Sequence, residues 1–339
     1  EISACLVGSE MCIRDRIRNM VLKRIGSALL ALLLSSVVIF LLVRLAPGDP
    51  INLVLGEGPG DIGVNTELLE ERRESLREAH GLNDSIPVQY ANWFKKIITL
   101  DMGTSIRSGR PITQELWSRV PATFTLALAA LFIETILGVL FGIYSAVHAG
   151  KLQDRAIRLF CVILASLPAF VLSLLFLFLF AVRLHWYEIS SQMEWGRLWL
   201  PAITLGIIGA PRCIRMVRAA MLTELGQLYV SSALSRGLTS KMVLQGAFQN
   251  ALLPAITTVA LSFAHMIGGS VVIEAIFNWP GIGNYAINSI LVHDYPAVQG
   301  YTVLTVATVI LINLTVEITY ILSNPMVRRG GISRPTAQQ

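Results

Sequence analysis

The sequence has little charge. Asp, Glu, Lys and Arg make up 14% of its 339 residues, against about 25% in a soluble globular domain. An apolar share of 54% and a mean hydropathy of +0.62 exclude an ordinary water-soluble fold, so the chain is read as an integral membrane protein with lipid as its surroundings and no nucleic-acid partner. Cysteine is scarce too: Cys5, Cys12, Cys161 and Cys213 form no CxxC pair and no Cys/His spacing, which argues against a disulfide framework and a metal site. HExxH and GxSxG are missing, as is any base spaced to activate a nucleophile, so no catalytic residue and no cofactor is expected. A phosphate-cradling G-x-x-x-x-G-K-[ST] loop is also lacking, since Gly150-Lys151 runs into Leu152 without the upstream glycine. There is no internal repeat.

What the chain does have is a series of long apolar runs, each to be compared with the about 20 helical residues that cross a hydrocarbon core. Ile25 to Val43 is uncharged, Val120 to Val147 is interrupted only by Glu134, and Leu159 to Val182 has no charge. Ala251 to Ile273 holds one His, and Pro296 to Val316 leads into Glu317. Leu198 to Pro211 is weaker, because Arg212, Arg215 and Arg218 follow at once; it is expected to emerge obliquely with its arginines at an interface. The expectation is an all-α membrane protein of about six transmembrane helices. Residues 1–19 show no helical or strand period and are set apart as a non-native leader, with the natural start expected at Met20. The first span is kept as an anchor, because it exceeds the apolar core of a signal peptide and runs into LAPGDP rather than a cleavage site.

Lys and Arg set the orientation. With the N-terminus inside, the inner segments hold Lys23 and Arg24; Lys151, Arg155 and Arg158; Arg212, Arg215, Arg218, Arg236 and Lys241; and Arg328 and Arg329. The short outer loops hold only Arg183 and Arg197. Both termini are therefore expected in the cytoplasm, with Pro47 to Arg119 outside, where a long loop translocates whatever its charge. In that insertion, Thr66 to Leu82 reads as a surface helix, a solvated cap or a contact for an external partner. YANWFKKIITL is too short to span and is expected to lie at the membrane surface.

The largest inner feature is polar. In YVSSALSRGLTSKMVLQGAFQNALLP, Tyr229 to Pro254, Leu225 to Ser235 can be helical, and Gly237 suits the left-handed position that stops a helix. Thr239 can cap the next helix, with Leu244, Phe248 and Leu252 along one face and Pro254 in the first turn of the following span. This predicts helix, tight turn, helix, with small side chains at Ser231, Ser232 and Ala233 presented for docking into a groove of another protein. The bland alternative is an ordered loop with no partner.

The stretch resembles the EAA loop of the membrane subunits of ATP-binding-cassette importers, in which an alanine pair precedes a glycine by four residues; Ser232-Ala233 and Gly237 take those places here. YVSSALSRGL and QNALLP are similar to the dipeptide, oligopeptide and nickel permease subfamily. So, in the same order along the chain, are LVRLAPGDP, GLNDSIPVQYANWF, DMGTSIRSGRPI, RVPATFTLALAA, FNWPGIGNYAINSI, DYPAVQG and NPMVRR, a coverage from about Met20 to about Arg329. Two departures stand out: Ser232 replaces one alanine, and Gly246 stands where the subfamily often has histidine.

The resemblance implies a type I importer membrane domain. Residues 20–46 would be an N-terminal helix, 47–119 an extracytoplasmic insertion, 120–325 the transmembrane core with its coupling loop at 224–250, and 326–339 a cytoplasmic tail. It implies a non-enzymatic permease subunit of the bacterial or archaeal cytoplasmic (inner) membrane, paired with a related second permease subunit. Two ABC ATPase subunits and an extracytoplasmic solute-binding protein would complete the importer, with dipeptides or oligopeptides the leading substrates. Tyr229, Ser232, Ala233, Arg236 and Gly237 would couple to the ATPase.

Ionisable groups within spans point toward bundle interiors. Glu134 is a pathway or interhelical candidate, or else a structural carboxyl. His265 is either a core histidine or a pathway group, and Asn313 and Glu317, four apart, favour helix packing. Pro280, Gly281 and Gly283 after Glu274 force a turn that could be re-entrant or support a gate. The alternative of another class, an ion-gradient-driven secondary transporter or channel, would use Glu134 and His265 as a proton relay.

Overall fold

A computed structural model of the chain describes residues 2–45 and 84–323. The expected helix over Thr66 to Leu82, the LAPGDP stretch and the terminal NPMVRR lie outside the described residues. Among the described residues the architecture is all helix, the exceptions being turns and an isolated antiparallel bridge between Thr104 and Pro111.

In chain order the helices are α1 (Ile2–Leu45), α2 (Ile86–Ile98), α3 (Ile112–Val147), α4 (Leu152–Ser166), α5 (Ala169–Leu177, continued by a wider turn Phe178–Arg183), α6 (Trp199–Leu225), α7 (Leu228–Ser235), α8 (Ser240–Ile276), α9 (Ile282–Leu291) and α10 (Tyr295–Ser323). Residues 2–19, in which we read no helical period, continue α1 without a break; they contain no Pro and only one Gly to interrupt it. Among the described residues, five helices are long and apolar enough to cross a membrane: Arg18–Leu45, Ile112–Val147, Trp199–Leu225, Ala255–Ile276 and Tyr295–Thr319.

The remaining expected span is not one helix. Leu152–Ser166 and Ala169–Arg183 meet at 96°, so the charge-free run Leu159 to Val182 is broken in its middle. Pro168 favours a break here, because it has no N–H to donate and its ring collides with the preceding turn, and packing of α5 on α6 and α8 holds it. The amide of Leu167 closes the last turn of α4 on the Leu164 carbonyl at 3.3 Å, and Pro168 opens α5 in extended conformation. Conversely, the weak candidate at Leu198 to Pro211 is part of an unbroken helix of 27 residues, the most buried of the span-length helices.

That burial comes from small residues. Apolar helices gain nothing from leaving lipid for one another, so they associate where small side chains let backbones approach. Gly138 packs against Cys213, Gly142 has Val217 Cβ 2.7 Å from where its own Cβ would be, and Gly206 faces the Ala130 carbonyl at 2.9 Å by the same measure. Along this seam α3 and α6 lie together, and α8 closes the third side through Met266, Ile267, Ile273 and Phe277. A second cluster, with Ala146, Val217, Met221, Ala247 and Ala251, fills the end of the bundle that carries α7, here called the elbow end. Around this core α1 pairs with α10, and Arg24 Nη1 reaches Glu317 Oε1 at 3.3 Å. α2 docks on α1 through Phe40, Tyr90 and Trp93, with Ser36 Oγ 2.8 Å from the Tyr90 hydroxyl.

Candidate functional site

The elbow is built as its sequence predicts at the turn and differently on either side. α7 ends in a left-handed residue, Gly237 at φ +84. Its amide donates to the Leu234 carbonyl at 2.9 Å, and the Leu238 amide reaches back to Ala233 at 3.2 Å. These two bonds satisfy carbonyls that the helix end would leave open, which fixes where α7 stops. The preceding helix is shorter than expected: α6 ends at Leu225 and α7 starts at Leu228. Thr239 has the extended backbone of an N-cap, with no side-chain capping bond.

The following helix is longer than expected. α8 runs through position 254 to Ile276, so Pro254 lies inside one continuous helix and not in the first turn of a separate span. Its inner face is Val243, Ala247, Ala251 and Ala255, one position from the expected ridge; small residues fit that tight wedge, while Leu244 and Phe248 flank it.

Tyr229 ties the elbow to both neighbours. Its hydroxyl donates to Glu224 Oε2 on α6 at 3.0 Å and accepts from Asn250 Nδ2 on α8 at 3.2 Å. Val230 faces inward, whereas Leu228, Leu234, Leu238 and Met242 are exposed around Ser232 and Arg236. The elbow is therefore a braced platform with an uncovered apolar rim.

At the opposite end, the turn with Pro280, Gly281 and Gly283 is held by a buried carboxylate. Glu274 accepts from Thr123 Oγ1 (2.8 Å), Ser270 Oγ (3.0 Å) and the amides of Gly283 (2.7 Å) and Asn284 (3.1 Å). The two amides belong to the first turn of α9, where a negative group is favoured. A Cβ on Gly283 would meet Val271 Cα at 2.6 Å, so side chains other than hydrogen are excluded. Trp279, fully buried, donates from Nε1 to the Ala122 carbonyl at 2.9 Å. α9, ten residues long, spans only about 15 Å, too short to cross. Burial first, then the neighbouring Glu115, push the Tyr285 phenol on α9 above its ordinary range, while Arg119, 5.1 Å over the ring, pulls it down.

Two motifs far apart in sequence meet at Asp294. This buried carboxylate accepts from Ser105 Oγ at 2.6 Å and from the amides of Ile106, Arg107 and Ala297 at 3.3 to 3.4 Å. It thus pins the loop of DMGTSIRSG to the start of α10 and caps that helix. On the same side Arg197, counted as an outer-loop charge, is buried and donates to the carbonyls of Glu188, Ser190 and Gln192.

The intramembrane candidates separate. Glu134 is buried and accepts from Ser262 Oγ at 2.9 Å, with Gly209 leaving room for its carboxyl group; it joins α3, α6 and α8. His265 is exposed, on a face of α8 shared with Gly268, Gly269 and Val272. It therefore lies outside the core of this chain. Asn313 is half-buried, and Glu317 is occupied by Arg24. Among the described residues no group of His, Cys, Asp and Glu is placed to hold a metal.

A buried ion pair went unforeseen. Asp154, at the elbow end of α4, accepts from Arg218 Nε at 2.8 Å and Nη2 at 3.0 Å, from Ser145 Oγ at 2.6 Å and from the Gly150 amide at 3.0 Å. The sequence places Arg218 with its neighbours at an interface; in the fold it is matched by Asp154 instead.

Comparison with known families decides the class. The family described as "Binding-protein-dependent transport system inner membrane component" matches residues 138–329, and its N-terminal region matches residues 17–127. The chain belongs to that family. Glu134 falls between the two matched stretches, whereas the elbow, the Glu274 turn and Asp294 fall within the first. Among similar proteins of this inner-membrane permease family are "Probable peptide ABC transporter permease protein y4tP" of Sinorhizobium fredii, 32% identical over 91% of this chain and 98% of that one, and "Glutathione transport system permease protein GsiC" of Pectobacterium atrosepticum, 35% identical over 91% and 99%. A crystal structure of an amino acid ABC transporter aligns with a TM-score of 0.46 at 16% identity, over 64% of this chain and 94% of that one. The chain is thus a membrane permease component of a multi-subunit, ATP-driven importer that works with a binding protein.

Proposed function

We propose that this permease imports small peptides, and that α7 is the element through which a separate ATPase drives it. The observation that carries the reading is the elbow itself, a short helix with an uncovered apolar rim of Leu228, Leu234, Leu238 and Met242, stopped by Gly237 and braced on α6 and α8 through Tyr229. A rigid amphipathic helix of this kind suits a groove in another protein. Ser232 and Ala233 allow close approach there, and Arg236 adds a charge at the rim. The permease is not itself an enzyme in this reading; hydrolysis belongs to two ATPase subunits.

The elbow end lies in the cytoplasm, with both termini, because Arg155 and Arg158 of α4, Arg212, Arg215 and Arg218 of α6, and Arg236 just after α7 gather there. Residues 47–119 face the binding protein, 120–325 form the core around coupling loop 224–250, and 326–339 form the tail. A second, related permease subunit covers the open face of α8 at His265, Gly268 and Gly269, and the pathway runs between the two. Pro280, Gly281 and Gly283 hold the far mouth in shape. The peptide assignment is supported by relatives named for peptide and glutathione transport.

The test of the coupling reading is a photo-crosslinker at Ser232 in membrane vesicles, which is expected to capture an ATPase subunit; a crosslinker that captures none contradicts it. Uptake by the reconstituted complex with its own binding protein, across dipeptides, tripeptides, glutathione and nickel chelates, tests the substrate: uptake of chelates without peptides overturns the peptide reading.

A further inference from the structure

α4 is an arm with little to hold it. Leu159, Phe160, Val162 and Ile163 are exposed, and its apolar contact with α6 is the small cluster of Cys161, Ala210 and Ile214, flanked by Leu137 and Ile157. At its base, however, Asp154 is fully buried and receives the fork of Arg218 in two bonds, a geometry that fixes orientation as well as distance. Ser145 from the end of α3 and the Gly150 amide complete the carboxylate's partners, with Arg158 Nε at 3.5 Å. Six residues after Arg218 on the same helix, Glu224 accepts the Tyr229 hydroxyl of α7. The elbow and the base of α4 are therefore each tied by polar side chains to the last turns of one helix, α6.

We propose that Asp154 and Arg218 are positioning residues of coupled transport: their bidentate pair locks the α4 arm to α6, so that the arm moves as one body with α7 when the ATPase acts. Without it, the thin Cys161–Ala210–Ile214 contact would let α4 lag behind α6. Neither residue touches substrate. The inference rests on the reading of α7 as the coupling element, and adds to it where the motion goes next.

The experiment uses the complete importer in proteoliposomes, with Cys5 and Cys12 replaced by Ser and spin labels at Leu159→Cys on α4 and Ser235→Cys on α7. In the unsubstituted ion pair, the inter-label distance distribution is expected to be the same in the nucleotide-free and ATP-trapped states. A distribution that shifts between those states with the pair intact overturns the proposal, whatever the variants do. D154N and R218K are expected to make it state-dependent, and to lower substrate transported per ATP hydrolysed by about tenfold and about threefold, respectively, since Lys keeps the charge but not the fork. A parallel fall in hydrolysis and transport with the ratio unchanged, in R218K or D154N, marks a merely structural role and overturns it too. If the unsubstituted complex shows no ATP-driven uptake at all, it is the coupling reading that fails; the distance measurement still judges whether α4 and α7 move together.

Discussion

α6 and the α4–α5 pair invert what their compositions suggest. The run without any charge, Leu159 to Val182, is bent by 96° and leaves most of its large side chains outside the bundle. The helix that carries Arg212, Arg215 and Arg218 is unbroken and central. In a bilayer hydrophobicity selects which residues can sit in lipid, and does not select which helices pack together. Packing follows small residues and paired polar groups: Gly206, Gly209 and Cys213 of α6 admit α3, whereas the arm presents large side chains and is pinned at its base alone, where Asp154 matches Arg218.

The comparison breaks most readily at the seam. Gly138→Leu must drive a side chain into Cys213, and overpacking of this kind costs about 3 kcal/mol or more; the expected result is loss of the monodisperse complex on gel filtration. Next comes the same chemistry on the two helices. Leu205→Ala, in the buried face of α6, is expected to cost about 2 to 4 kcal/mol from the cavity it leaves, read as a lower thermal midpoint of the purified complex. Leu175→Ala on α5 exchanges a lipid-facing side chain for lipid contact and is expected to change stability by less than about 1 kcal/mol. Equal losses at the two positions would erase the distinction. The smallest effect is expected for Pro168→Ala: the break is supported by packing of α5 on α6 and α8, so stability should shift by about 0.5 kcal/mol or less, with the bend retained in label distances across it.

The positions of five spans and the stop at Gly237 were legible because each rests on a local rule, run length in the first case and left-handed backbone in the second. The bend was legible as well, since Pro168 stands in the middle of the run, but counting charge alone passes over it. Gly138 and Gly142, four apart and facing α6, were the available signal for the central seam. Asp154 with Arg218, Asp294 with Ser105, and Glu274 with Thr123 could not be read from one sequence, because each joins residues distant in the chain through a geometry that only the packed helices create. The buried ridge of α8 lies one position from the one that side-chain size predicts for a related reason: the narrow wedge at the elbow admits alanine and leaves Leu244 and Phe248 at its edges.

The central claim is that a rigid elbow on this permease receives work from a separate ATPase. Gly237→Val tests it most directly, because valine at φ +84 is strained and the turn that ends α7 must reorganise while the spans are untouched. The account predicts a complex that assembles and still hydrolyses ATP but whose ATP-driven peptide uptake falls by about tenfold or more. Uptake at the unsubstituted rate would contradict it.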